Sequence, residues 1–228
     1  MKKDFLEGMK AATPIILGYI PVGIAYGMMA KASGLTFMKA LSFSLFVYAG
    51  AAQMASVTML EQNIAFVSIV LTVFILNLRH IIMSTCIMEK LDKTKLSTRL
   101  LLAFGITDEV FALSMTDRKR QTLTPRYFAG IALSSYIAWN IGSILGILFS
   151  SILPEIVSKS LGVSLYAMFI GLLVPNMKKS KHIVYVVFMT MVLNVVLNLF
   201  LSSSVSMIVS TLLGASIGMK FVKMEDLQ

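Results

Sequence analysis

The chain has 228 residues, of which 57% are hydrophobic and 14% charged, with a formal net charge of +9. Ordinary soluble domains are roughly 45–50% apolar and about 25% charged, so a water-soluble enzyme is excluded on composition. The excess of lysine and arginine does not point to nucleic acid, because these residues flank apolar runs, where they act as topology signals.

Uncharged stretches cover 11–30, 40–60, 62–78, 127–154, 160–177 and 183–219. Each is near or above the roughly 17–25 residues needed to cross a bilayer, and the last is long enough to cross twice. The reading is an all-α integral membrane protein of about seven or eight hydrophobic segments, in one transmembrane domain over 1–228. The start Met1-Lys2-Lys3 is followed by Asp4 and Glu7 without a cleavage pattern and reads as an uncleaved N-terminus. Cys86 is the sole cysteine, so an internal disulfide is excluded, and with His80 and His182 it makes neither a metal site nor a redox cofactor site.

Lysines and arginines crowd 89–99 and 117–126, which marks both connections as cytoplasmic. The apolar segment between them, 100–115, is therefore expected to re-enter on the side it left. Lys31 and Lys39 mark a weaker inside loop, which makes 11–30 run inward and 40–60 and 127–149 outward; Lys2, Lys3 and Lys10 argue against that direction for the first span. The expectation is two inverted repeats, 11–116 and 127–222, supported by Tyr19-Ile20 against Tyr136-Ile137 and by Gly23 and Gly27 against Gly142 and Gly146. Inverted repeats with broken helices characterise secondary transporters, whose substrates bind where unwound backbone meets the midplane. Pro21, which lacks an amide donor, predicts such an opening between Tyr19 and Gly23; a simple kink is the alternative.

Arg79, Asp108 and Glu109 alone lie well inside apolar segments, and intramembrane charges mark pathways or pairs. Two readings are open for Arg79: it holds a substrate carboxylate, or it pairs with Asp108 or Glu109. The two acids either carry a proton or form the first turn of a helix capped by Thr107 or Asp108. His80 is a second proton-coupling candidate. Gln53, among small residues, reads as interhelical glue or as a cavity group, while Trp139 and Asn140 either shape an apolar side-chain pocket or only pack.

Four motifs occur in order: Pro21-Val22-Gly23-Ile24-Ala25-Tyr26-Gly27, Tyr48-Ala49-Gly50-Ala51-Ala52-Gln53, Asn77-Leu78-Arg79-His80 and Thr107-Asp108-Glu109-Val110-Phe111. Together they resemble the AzlC family, the large subunit of bacterial branched-chain amino acid exporters. That resemblance implies export of valine, leucine, isoleucine or related apolar amino acids across the bacterial cytoplasmic membrane, driven by proton exchange, with a small AzlD-type membrane subunit. The expected substrate-binding set is Pro21, Gly23, Tyr48, Gln53, Asn77, Arg79, Trp139 and Asn140, and the expected proton-coupling set is His80, Asp108 and Glu109. A channel-like pore is the competing function; an intramembrane enzyme lacks a nucleophile motif.

Overall fold

A computed structural model describes residues 2–117, 120–152, 181–201 and 203–221, with isolated positions between 170 and 178. The expected span at 160–177 therefore falls almost wholly outside the described residues. Helices α1 (Lys2–Ala11), α2 (Thr13–Ala32), α3 (Phe37–Ser42), α4 (Gly50–Glu61), α5 (Phe66–Asn77), α6 (Arg79–Lys90), α7 (Leu96–Phe104), α8 (Asp108–Thr116), α9 (Pro125–Phe149), α10 (Lys181–Leu197) and α11 (Ser203–Phe221) make up an all-α molecule. Among the described residues, three helical stretches are long and apolar enough to cross a bilayer: α2, the composite Phe66–Lys90, and α9.

The centre is the pair α2 and α9. Gly23 lies against the Trp139 carbonyl and Gly142, Gly27 against the Ser143 carbonyl and Gly146, and, nearer the N-terminus, Gly8 against Tyr127 and Gly130. A Cβ on Gly146 would meet the Ile24 carbonyl oxygen at 2.1 Å, so only glycine permits this backbone approach. In a bilayer, where apolar burial does not drive helix association, such small-residue contact does. The contacts rise together in number along both chains, so α2 and α9 run parallel. The opposed orientation expected of 11–30 and 127–149 is thus corrected. The glycines that suggested a repeat are one interface, each set facing the other.

Pro21 does not open α2, which is helical throughout Thr13–Ala32. Proline removes one N–H from the ladder, and neighbouring helices can sustain a membrane helix across that loss; here α9 lies directly against the following turn through Gly23. The breaks fall elsewhere. After α3 the chain passes through one π-helical turn, Phe43–Val47, and Tyr48 then adopts a left-handed backbone with φ 43°. Leu78 interrupts Phe66–Lys90, and Gly105-Ile106-Thr107 separates α7 from α8.

Two of these breaks are tips of hairpins entering from opposite faces. Descending beside α2 and α9, the first arm is held by the Tyr26 hydroxyl donating to the Ala40 carbonyl at 2.8 Å, Ser44 bonded to Ser143 at 2.8 Å, and Tyr136 donating to the Leu45 carbonyl at 3.0 Å. α4 then returns to the starting face, where Glu61 receives the Ser33 hydroxyl at 3.4 Å beside the end of α2. The 40–60 run is therefore not a crossing span, and the Lys31–Lys39 connection lies on the face opposite the strongly basic one. Its two short arms carry no charge between Ala40 and Leu60, so they read in sequence as one span.

The second hairpin, 96–116, enters from the basic face. α7 begins five residues after Leu91, and the end of α8 is held to the end of α6 by the Lys90 ammonium donating to the Ser114 carbonyl at 2.8 Å. A single parallel bridge, Leu91 with Leu123, ties the same level to the start of α9. The geometry is that of the re-entrant segment expected at 100–115. α1 lies on this face too: Arg120 binds Glu7 and lies 4.2 Å from the centre of the Tyr127 ring. The N-terminal lysines and the 89–99 and 117–126 connections thus share one face, which removes their conflict over direction.

α10 and α11 pack on each other through Asn194, whose amide donates to Ser210 at 3.1 Å, and through Gly214 against Thr190. α11 also contacts α5. Phe66, Val67 and Phe74 of α5 are exposed, the pattern of a helix facing lipid.

Candidate functional site

The hairpin tips and the Leu78 break converge beside α2 and α9 on a small cavity of about 30 Å³, bounded by Tyr19, Tyr48-Ala49-Gly50-Ala51, Arg79-His80, Thr107-Asp108-Glu109 and Trp139. That volume holds a water molecule or two, so the site is contracted in this conformation and must widen to seat an amino acid.

Each tip is seated on α9 through a glycine. A Cβ on Gly50 would lie 2.7 Å from the Trp139 ring, and one on Gly105 would lie 2.6 Å from the Ala132 Cβ. Trp139 is itself fixed, stacked 6.1 Å from Tyr26 and edge-on 5.5 Å from Tyr19. Below it Tyr48, Phe104 and Tyr136 form a three-ring cluster with centroids 4.9–6.0 Å apart, joining the two tips.

The charged groups have distinct partners. Arg79 pairs with Asp108 at 2.9 Å, and this ion pair keeps some exposure. Glu109 is 4% exposed and accepts the Tyr19 hydroxyl proton at 2.5 Å. The Tyr19 hydroxyl also points its donor toward Thr107 Oγ1, 2.7 Å away, so its single proton serves two neighbouring acceptors. Thr107 also caps α8, accepting from the Val110 amide at 3.3 Å. The acids thus occupy the first turn of a capped helix, as one of the two readings expected, and they also face the cavity. His80 Nδ1 lies 3.1 Å from the Asn77 carbonyl, which places the proton of neutral imidazole on Nδ1 and leaves Nε2 as an acceptor.

The helix N-termini at the cavity are unlike. Whereas α8 is capped by Thr107, α4 begins after Ala49 and α6 after Leu78, neither with a side-chain cap. The first-turn N–H groups of α4 have no partner within the helix. Among the described residues the buried Trp139 Nε1, the Tyr48 hydroxyl and Arg79 Nε also make no hydrogen bond. Buried polar atoms are rarely left so, and here three border one cavity. No group of three or more His, Cys, Asp or Glu with metal-binding arrangement is found among the described residues.

Of the residues expected from sequence, Tyr48, Arg79, His80, Asp108, Glu109 and Trp139 line the cavity. Pro21 and Gly23 do not, since Gly23 faces α9. Gln53, fully buried, donates to Ser44 at 3.1 Å and so braces the first hairpin internally. Asn140 donates to the Tyr136 carbonyl at 2.9 Å within its own helix, and Asn77 contributes its carbonyl to His80. Tyr19 is a site residue outside the expected sets. As one of two tyrosines in an apolar helix it carries no sequence signal of its own; only the apposition with Glu109 marks it.

Comparison with known proteins is decisive at this point. The family model described as "AzlC protein" matches residues 14–153, a stretch that includes α2, both hairpins, the composite crossing helix and α9. The chain belongs to the AzlC family. It is 39% identical over 176 residues to an uncharacterized membrane protein of Archaeoglobus fulgidus, covering 76% of each chain. It is 32% identical over 186 residues to the inner membrane protein YgaZ of Escherichia coli, covering 78% of this chain and 75% of that one. To the branched-chain amino acid transport protein AzlC of Bacillus subtilis it is 24% identical over 180 residues, with 78% and 70% covered. No solved structure matches. The membrane character read from composition, the all-α class and the family resemblance all agree with these findings.

Proposed function

We propose that this AzlC-family protein transports apolar amino acids, branched-chain ones foremost, across the bacterial cytoplasmic membrane, exporting them in exchange for protons. One observation carries the transporter reading: two hairpins entering from opposite faces, with a broken crossing helix, meet at a narrow cavity lined by intramembrane charge. Sites of this kind at interrupted helices serve secondary transport, and a constriction between two half-depth barriers suits alternating access better than an open pore. The substrate class is supported by the name of the Bacillus subtilis relative. The basic face is assigned to the cytoplasm by its lysines and arginines.

Glu109 is the stronger proton carrier of the two acids, because Arg79 pairs with Asp108 whereas Glu109 is held by neutral hydroxyl groups. His80 stands beside it as a relay. An AzlD-type small membrane subunit completes the exporter. The experiment is efflux of labelled leucine, valine and isoleucine from cells expressing this chain with and without that subunit, at several imposed pH gradients. Saturable efflux that follows the gradient and disappears in Glu109→Gln is expected. Efflux indifferent to the gradient, or unaffected by both Glu109→Gln and Asp108→Asn, would falsify the proton-exchange assignment.

A further inference from the structure

We infer that the carboxylate of the amino-acid substrate is bound at the N-terminus of α4 and by the Trp139 indole, with Arg79 reserved for Asp108. The inference rests on the transport reading above and specifies which end of the substrate goes where. α4 is a helix of 12 residues whose start, Gly50-Ala51, lines the cavity after an N-cap alanine that offers no side-chain acceptor. Uncapped N–H groups and the positive end of the helix dipole favour an anion there.

The second, independent observation is Trp139. It is 3% exposed, lines the same cavity, and its Nε1–H is a donor with no acceptor among the described residues. Indole can donate and cannot accept, so the missing partner is an acceptor. The benzo edge of its ring touches Gly50, so the indole and the start of α4 border the same cavity. Asp108 and Glu109, acceptors when ionised, line it too. A cavity that combines unpartnered donors with acids is complementary to a zwitterion, carboxylate toward α4 and ammonium toward the acids of α8. Arg79 is already paired at 2.9 Å, and using it for the carboxylate would strand Asp108.

Trp139 is the only tryptophan in the chain, so intrinsic emission of the full-length protein in lipid nanodiscs reports directly on this site. Leucine is expected to change the emission saturably. Leucinamide, which keeps the amine and side chain but lacks the carboxylate, is expected to bind at least about tenfold more weakly, the loss associated with charge-assisted hydrogen bonds. Ala49→Ser, which supplies α4 with a side-chain cap of its own, is expected to weaken leucine about tenfold and to leave leucinamide unchanged, with a melting curve confirming the fold. If leucine binds and leucinamide binds equally well, the carboxylate subsite is wrong while the transport reading stands. The subsite is likewise overturned if Arg79→Gln erases the preference for leucine over leucinamide and Ala49→Ser does not. If no apolar amino acid alters the emission, the substrate class itself fails, and the subsite with it.

Discussion

The two hairpins share an architecture and differ in what they carry to the membrane centre. Both pass inward, turn on non-helical backbone and rest on α9 through a glycine. The 37–61 hairpin, from the less basic face, ends in Tyr48-Ala49-Gly50-Ala51 and offers an uncapped helix start; the 96–116 hairpin ends in Thr107-Asp108-Glu109 and offers a capped one with two acids. Equivalent backbone shapes thus give opposite electrostatic character, set by one capping residue and two carboxyl groups. The lesson is that a re-entrant tip is a neutral frame, and its side chains decide whether it presents donors or acceptors.

Breaking the acidic tip has the largest expected effect. Glu109→Gln should abolish pH-dependent efflux while preserving expression, whereas Asp108→Asn should leave Arg79 unpaired and lower the amount of folded protein as well. Combining Asp108→Asn with Arg79→Gln should recover part of that folded yield, measured by size-exclusion chromatography, because a lone intramembrane charge costs more than a missing pair.

Next come the glycine seats. Gly105→Ala should destabilise the fold by about 1–3 kcal/mol, the usual cost of overpacking, because the obstacle is an Ala132 Cβ fixed to its helix. Gly50→Ala meets the far edge of Trp139, which can tilt, so its cost should be smaller; thermal unfolding of the two variants tests that order.

The cap comparison is subtler. Thr107→Val should cost about 0.5–2 kcal/mol by removing a cap, while Ala49→Ser should add stability of a similar or lower size and slow transport. A variant more stable and less active in the same assay would identify the open helix start as a functional cost. Smallest of all, Arg120→Ala should lower stability by about 0.2–1 kcal/mol, since its bonds to α1 are partly exposed.

Hydropathy was enough for the membrane class, for α2 and α9, and for the three charges within apolar segments that reach the cavity. The 96–116 hairpin was legible because charged connections flank it on one side of the membrane. Its counterpart was hidden: only the folded chain reveals that Tyr48 turns left-handed and that two short arms divide an uncharged run of spanning length. Pro21 misled for the opposite reason, since a residue that weakens an isolated helix is tolerated where a neighbour supports it. Helix direction failed where Lys31 and Lys39 were weighed against three N-terminal lysines, and the paired glycines settle that question only as contacts.

Those glycines have a mechanical consequence. Where the α2 and α9 backbones touch at successive turns, each carbonyl is lodged beside a glycine that admits no alternative register nearby, so sliding one helix past the other would collide at every turn. The pair is a fixed pillar. In the proposed transport cycle, alternation of access then falls to the hairpins, each leaning away from the pillar in turn to uncover the cavity to its own face.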